Sequence, residues 1–109
     1  MSVSLTVHEA GDVLVIDISG RLTILEEYFR PAILQFLKAG HRQFVLKMSD
    51  VPYMDSSGLG QLISVYTSIK NMGGSMRLQA PNPRVRELLK ITRLDTVFDL
   101  VKDETANVA

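Results

Sequence analysis

Apolar positions along the chain change their period several times, and each change marks an element. LTVHEAGDVLVIDISG, Leu5 to Gly20, reads as two strands around a turn at Gly11-Asp12. Val13, Val15, Ile16 and Ile18 are β-branched and partly alternate with Asp17 and Ser19, as half-buried strands do. EEYFRPAILQFLKAG, Glu26 to Gly40, carries Phe29, Ile33, Phe36 and Leu37 at helical spacing, and Gly40 suits the residue just past a helix end. Pro31 belongs in a first turn, so this helix either starts late or bends there. FVLKM, Phe44 to Met48, is short, apolar and bounded by polar residues, which fits a central buried strand.

SSGLGQLISVYTSIKNMGG, Ser56 to Gly74, returns to helical spacing with Leu59, Leu62, Ile63, Tyr66 and Ile69 inward, and Gly73-Gly74 stops it. SMRLQ, Ser75 to Gln79, is a short strand. PNPRVRELLKITRL, Pro81 to Leu94, is a helix capped by Asn82, with Pro83 first and Val85, Leu88 and Leu89 inward. TVFDLV, Thr96 to Val101, adds a candidate edge strand. DETANVA, Asp103 to Ala109, is polar and expected to fray. Strands that alternate with helices imply right-handed crossovers and a largely parallel sheet. The opening hairpin makes that sheet mixed.

Bulk properties narrow the class. The 109 residues are the size of one domain, so residues 1–109 are expected to form a single unit. Hydrophobic residues make up 46% and charged residues 22%, ordinary for a globular protein. The formal net charge of zero argues against a nucleic-acid partner, which would favour a strongly basic surface. Arg77, Arg84, Arg86, Lys90 and Arg93, opposed by Glu87, read as a solvated helix face without interleaved aromatics. No apolar run reaches the roughly 18 residues of a membrane span. The start MSVSLTVHEAGD lacks the pattern of a signal peptide, and cysteine is absent, so a cytoplasmic location is expected.

The candidate chemistry sits at YMDSSGLGQLI, Tyr53 to Ile63, where a strand hands over to a helix. Asp55, Ser56 and Ser57 are all N-cap types. If Ser57 caps, Ser56 keeps a free hydroxyl on an exposed turn. A phosphate there adds about 1.5 to 2 negative charges beside Asp55, harmless to the helix start yet obstructive to a partner. Gly58 and Gly60 each cost a helix about 1 kcal/mol and expose backbone to close approach. From spacing alone the same residues also read as a plain cap and turn.

Other chemistry finds little support. A serine hydrolase needs a base near Ser56 or Ser57. Of the two histidines, His8 falls on the first strand and His41 before the third, at the far end of the sheet. The G-x-S-x-G and P-loop patterns are absent. No catalysis, cofactor or metal is expected. Met54, Met72 and Met76 read as core filler or as an adaptable contact surface.

Val45-Leu46-Lys47-Met48 followed by Val51-Pro52-Tyr53-Met54-Asp55-Ser56-Ser57-Gly58-Leu59-Gly60 resembles the signature of the STAS family, specifically the bacterial anti-sigma factor antagonists. Ser19-Gly20-Arg21-Leu22 resembles the family's turn after its second strand. Asn71-Met72-Gly73-Gly74 resembles the segment before its fourth strand, and Val85, Leu88, Leu89 and Thr92-Arg93-Leu94 resemble its last helix and exit.

The resemblance implies one STAS domain with helices packed chiefly on one side of the sheet. It implies an anti-sigma factor partner that is also a serine protein kinase, release of a sigma factor, and a serine phosphatase that resets the switch. The phosphorylated serine would be Ser56, with Ser57 as the fallback. Asp55, Ser56, Ser57, Gly58, Leu59 and Gly60 would meet the partner, with Thr23 at the rim. Many members carry an aspartate where this chain has Thr23, so the partner surface is expected to differ. An alternative within the family is a subunit that docks constitutively on a transporter ATPase or a stress-signalling scaffold.

Overall fold

The structure is a computed structural model, and it describes residues 3–101. The hairpin of β1 (Ser4–Ala10) and β2 (Val13–Ser19) leads to α1 (Phe29–Lys38), β3 (Gln43–Asp50), α2 (Ser56–Asn71), β4 (Ser75–Gln79) and α3 (Pro83–Ile91). A short 3-10 turn, Leu94–Thr96, precedes β5 (Asp99–Val101). The strands lie in the order β1-β2-β3-β4-β5, antiparallel between β1 and β2 and parallel at every later step. The expected mixed, mostly parallel α/β sheet is present, and Thr96 to Val101 does end in an edge strand. The tail from Asp103 to Ala109 lies outside the described residues.

Register explains the core. Leu14 pairs with Phe44 and Phe44 with Met76, and Ile16 pairs with Leu46 and Leu46 with Leu78. Residues two apart on a strand share a face, so these side chains form one apolar surface. Phe29, Ile33 and Leu37 of α1, Leu59, Leu62, Val65 and Ile69 of α2, and Val85 and Leu89 of α3 join the same buried cluster. The helices therefore cover one face. The other face carries Thr6, His8, Asp17 and Lys47 around Val15 and Val45, with Lys47 Nζ 3.8 Å from Asp17 Oδ2.

Two helix details bear on the sequence expectation: the first chooses the late start over a bend at Pro31, and the second departs from it. The first helix begins at Phe29 and not at Glu26, so Pro31 falls in its first turn, where no intrahelical N–H is needed. Glu26 instead takes the orphan donors of that turn: its Oε2 accepts from Tyr28 N at 2.5 Å and Phe29 N at 2.6 Å. In α2 the inward stripe runs through Val65, while Ile63 is 40% exposed and Tyr66 is half-buried. The helix is rotated so that Leu62 and Val65 meet the sheet, which turns Ile63 to the flank.

The stops are as read. Gly40 follows α1 with φ +109°, a conformation that a side chain disfavours. Asn82 caps α3, accepting from Val85 N at 2.9 Å, and Pro83 is the first helical residue. The same Asn82 donates to Val51 O at 2.8 Å, which ties α3 to the segment leading into the second helix.

Candidate functional site

β3 ends at Asp50, and its chain turns at Val51, which is buried and donates to Met48 O. The chain leaving β2 runs alongside. Gly20 N donates to Asp50 O, Leu22 N to Tyr53 O, and Asp55 N back to Leu22 O, while Leu22 and Met54 form an isolated parallel bridge. On the outer side the Arg21 guanidinium lies 4.9 Å from the centre of the Tyr53 ring, a cation–π contact. Leu22 and Met54 are buried beneath. The start of α2 is thus bolted to the β2–α1 loop by backbone bonds.

The cap of α2 is Asp55, not Ser57. Asp55 Oδ1 accepts from Gly58 N at 2.8 Å and Oδ2 from Ile24 N at 3.2 Å. Two acceptor atoms explain the choice, since a serine oxygen at this point could not face both donors. The Gly58 N–H holds the Asp55 carboxyl below the usual carboxylate range; desolvation opposes it, and the N–H groups of Ile24, Ser57 and Asp55 itself add to the lowering. With the cap supplied by Asp55, both serine hydroxyls are left out of capping. Ser56 stands exposed at the first helical position and Ser57 is half-buried at the second.

Gly58 is buried, and its bare backbone meets the chain's own Leu22. A Cβ at Gly58 would lie 2.0 Å from Leu22 O and 2.9 Å from Met54 Cγ. The close approach expected of a partner at Gly58 is therefore made inside the fold. Leu59 is also buried, within the core cluster. Gly60 is the opposite case, exposed and with nothing within 4 Å of a Cβ. Of the turn residues read as partner-binding, Asp55, Ser56, Ser57 and Gly60 reach the surface together, and Gly58 and Leu59 do not.

Thr23 stands beside them. Its carbonyl accepts from Gln61 Nε2 at 3.2 Å and from Glu26 N, and its Oγ1 accepts from Leu25 N. A surface cavity of about 460 Å³ separates this loop from α2, lined in part by Ile24, Arg30, Ser57, Gly60 and Ser64. Arg30 Nε donates to Ser64 Oγ across it at 2.7 Å. Ile24, Leu25 and Tyr28 project outward, 72%, 70% and 67% exposed.

Sequence reasoning missed Glu26, which is buried and also accepts from Val3 N at 2.7 Å. Its one local signal was an acid just ahead of the apolar Tyr28-Phe29 pair. His41 precedes β3 with its ring against Phe36, and His8 lies on the edge strand β1 opposite Val15. Both are remote in the sheet from the end where β3 delivers Asp55. Among the described residues no group of three or more His, Asp or Glu side chains could hold a metal ion. No helix among them is long and apolar enough to cross a membrane.

Known proteins resemble this chain in sequence and fold. A Thermotoga neapolitana protein named as a candidate anti-sigma factor antagonist is 38% identical over 66 residues, covering 61% of this chain and 58% of the relative. The matched stretch thus spans less than two thirds of that relative. The anti-sigma-B factor antagonist of Bacillus subtilis is 27% identical over 103 residues, 92% of each protein. A crystal structure of a candidate anti-sigma factor antagonist from Thermotoga maritima superposes with a TM-score of 0.86 at 28% identity, covering 93% of this chain and 88% of that one. The family model of the STAS domain matches residues 4–107, and the chain belongs to the STAS domain family.

Proposed function

We propose that this protein is an anti-sigma factor antagonist of the partner-switching kind. It binds an anti-sigma factor that is a serine protein kinase, so that a sigma factor is released, and it has no catalysis of its own. The observation that carries the reading is the division of labour at the start of α2. Asp55 does the capping, and the exposed Ser56 hydroxyl is available for modification without loss of the cap. The D-S-S-G-L-G resemblance and the printed name of the Bacillus subtilis relative support the same reading.

The switch works by phosphoryl transfer. Ser56 Oγ attacks the terminal phosphorus of a nucleoside triphosphate held by the kinase. An O–P bond forms, the bond to the nucleoside diphosphate breaks, and the hydroxyl proton leaves to a base of the kinase. The product dianion stands at the first turn, where N–H groups and the helix dipole favour it. A partner seated on Asp55, Ser56, Ser57, Gly60 and Thr23 would have to bury that charge uncompensated, which is prohibitive. A serine phosphatase restores the binding form. A second reading, a subunit docked constitutively on a transporter ATPase or a stress-signalling scaffold, draws on Thr23, which offers no charge to a kinase.

The test is purification of tagged protein from its own cells, with co-purifying proteins identified and phosphate mapped by mass spectrometry. A serine kinase should accompany the parent and Ser56→Ala, be lost with Ser56→Asp, and leave phosphate on Ser56 of the parent. Equal recovery of one non-kinase assembly by all three proteins would refute the switch and support constitutive docking.

A further inference from the structure

We infer that Ile24 in the β2–α1 loop is held in place by a latch from its N–H to Asp55, and that phosphorylation of Ser56 opens it. The inference builds on the switch reading above and specifies its regulation. Backbone bonds fix the loop at Leu22 and Gln61 Nε2 fixes it at Thr23 O; beyond these, two carboxylates of unequal strength anchor it. At the helix end, buried Glu26 accepts from Tyr28 N and Phe29 N at 2.5 and 2.6 Å. At the other end, Asp55 Oδ2 accepts from Ile24 N at 3.2 Å, in an exposed position. Bonds to ionised acceptors are strong when short and shielded, and are weakened by water and salt when long and exposed.

Ile24 and Leu25 stand at the weakly anchored end, at 72% and 70% exposure, and Tyr28 at the firm end, at 67%. Neighbouring large apolar side chains in the open mark a contact surface, and a fixed backbone lowers the ordering cost of using it. The partner surface that fits is apolar, the part of the anti-sigma factor that packs beside the phosphorylation site.

Ser56 follows Asp55 directly. A phosphoryl group there adds about 1.5 to 2 negative charges and three acceptor oxygens. It repels the Asp55 carboxylate and competes for first-turn N–H groups. Asp55 holds Gly58 N at 2.8 Å and Ile24 N at 3.2 Å, so the longer bond yields first. Ile24 then loses its fixed presentation, while Leu25, whose N–H donates to Thr23 Oγ1, and the Glu26 anchor stay in place. Modification would thus act at two places, by charge at Ser56 and by loosening the apolar contact beside it.

The experiment is amide solvent exchange by NMR on the full chain, unmodified, with phosphoserine installed at position 56, and as Asp55→Asn. Asparagine caps a helix as well as aspartate, but offers an NH2 group in place of the second acceptor. Ile24 amide exchange should rise about tenfold in the phosphoprotein and in Asp55→Asn, with Tyr28 and Phe29 unchanged. Unchanged Ile24 exchange in either protein, or faster exchange throughout α1 and α2, overturns the latch. If the phosphoprotein also loses its kinase partner while Ile24 stays protected, the latch falls and the switch stands by direct exclusion. If Ile24 loosens but the partner binds as tightly as before, the latch stands and the switch reading falls.

Discussion

Gly58 and Gly60 lie two residues apart in one helix, and alanine should move them in opposite directions. At either position alanine gains up to about 1 kcal/mol of helix propensity over glycine. At Gly58 the new Cβ would stand 2.0 Å from Leu22 O and 2.8 Å from Leu22 C. The obstacle is backbone, and that carbonyl already accepts from Asp55 N, so no side-chain rotation relieves it. Overpacking of this kind costs about 1–3 kcal/mol, and a backbone clash belongs at or above the top of that range. The expected net loss for Gly58→Ala is roughly 2 kcal/mol, and at about 4–8 °C per kcal/mol the Tm should fall by roughly 10 °C. At Gly60 nothing lies within 4 Å, so Gly60→Ala should gain about 0.4–1 kcal/mol. Urea unfolding followed by far-UV circular dichroism measures both, as shifts in midpoint at constant slope. A Gly58→Ala protein as stable as the parent would refute the close packing of α2 on Leu22. A destabilised Gly60→Ala would refute the open surface at that position.

Three further outcomes follow from named contacts. Leu62 is fully buried, and Leu62→Ala should lose about 2–5 kcal/mol through the cavity it leaves, read by denaturant midpoint. Glu26→Ala removes the acceptor of Val3, Tyr28 and Phe29 N–H groups, and should lose about 3 kcal/mol, with Glu26→Gln intermediate because its carbonyl still accepts; equal stability of all three proteins would refute the anchor. The Asp55 carboxyl is depressed in the folded state, so its stabilisation is present above the unfolded carboxyl range and is lost as pH falls through the folded value. Acid titration of stability should therefore be shallower in Asp55→Asn, and superimposable curves would contradict the capping bonds.

Much of the architecture was legible because its signals are local. Period-two apolar residues at Leu14, Ile16 and Ile18, and helical spacing at Phe29, Ile33 and Leu37, report the face that each element buries. Gly40 and the pair Asn82-Pro83 mark ends through conformations and donors that belong to single residues. The glycine-and-hydroxyl turn also stood out by itself, as the point where one period replaces another.

What local signals could not decide was how that turn is used. Asp55, Ser56 and Ser57 are comparable caps in isolation. The choice was made by Ile24 N–H, 31 residues away in the chain, whose approach favours a residue with two acceptor oxygens. Gly58 read as open backbone until Leu22 was found against it. Glu26 read as a helix residue until its carboxylate was found holding three N–H groups, one from Val3 near the other end of the hairpin. Ile63 and Val65 exchanged roles because the rotation of α2 is set by the sheet and α1, which a helical period alone does not specify. Sequence alone determined the elements and the place of the candidate turn at the start of α2, since propensity and period act over a few residues. Only the tertiary structure decided which side chain caps, which glycine is packed and which serine is presented, because each depends on a donor or a carbonyl brought from a distant part of the chain.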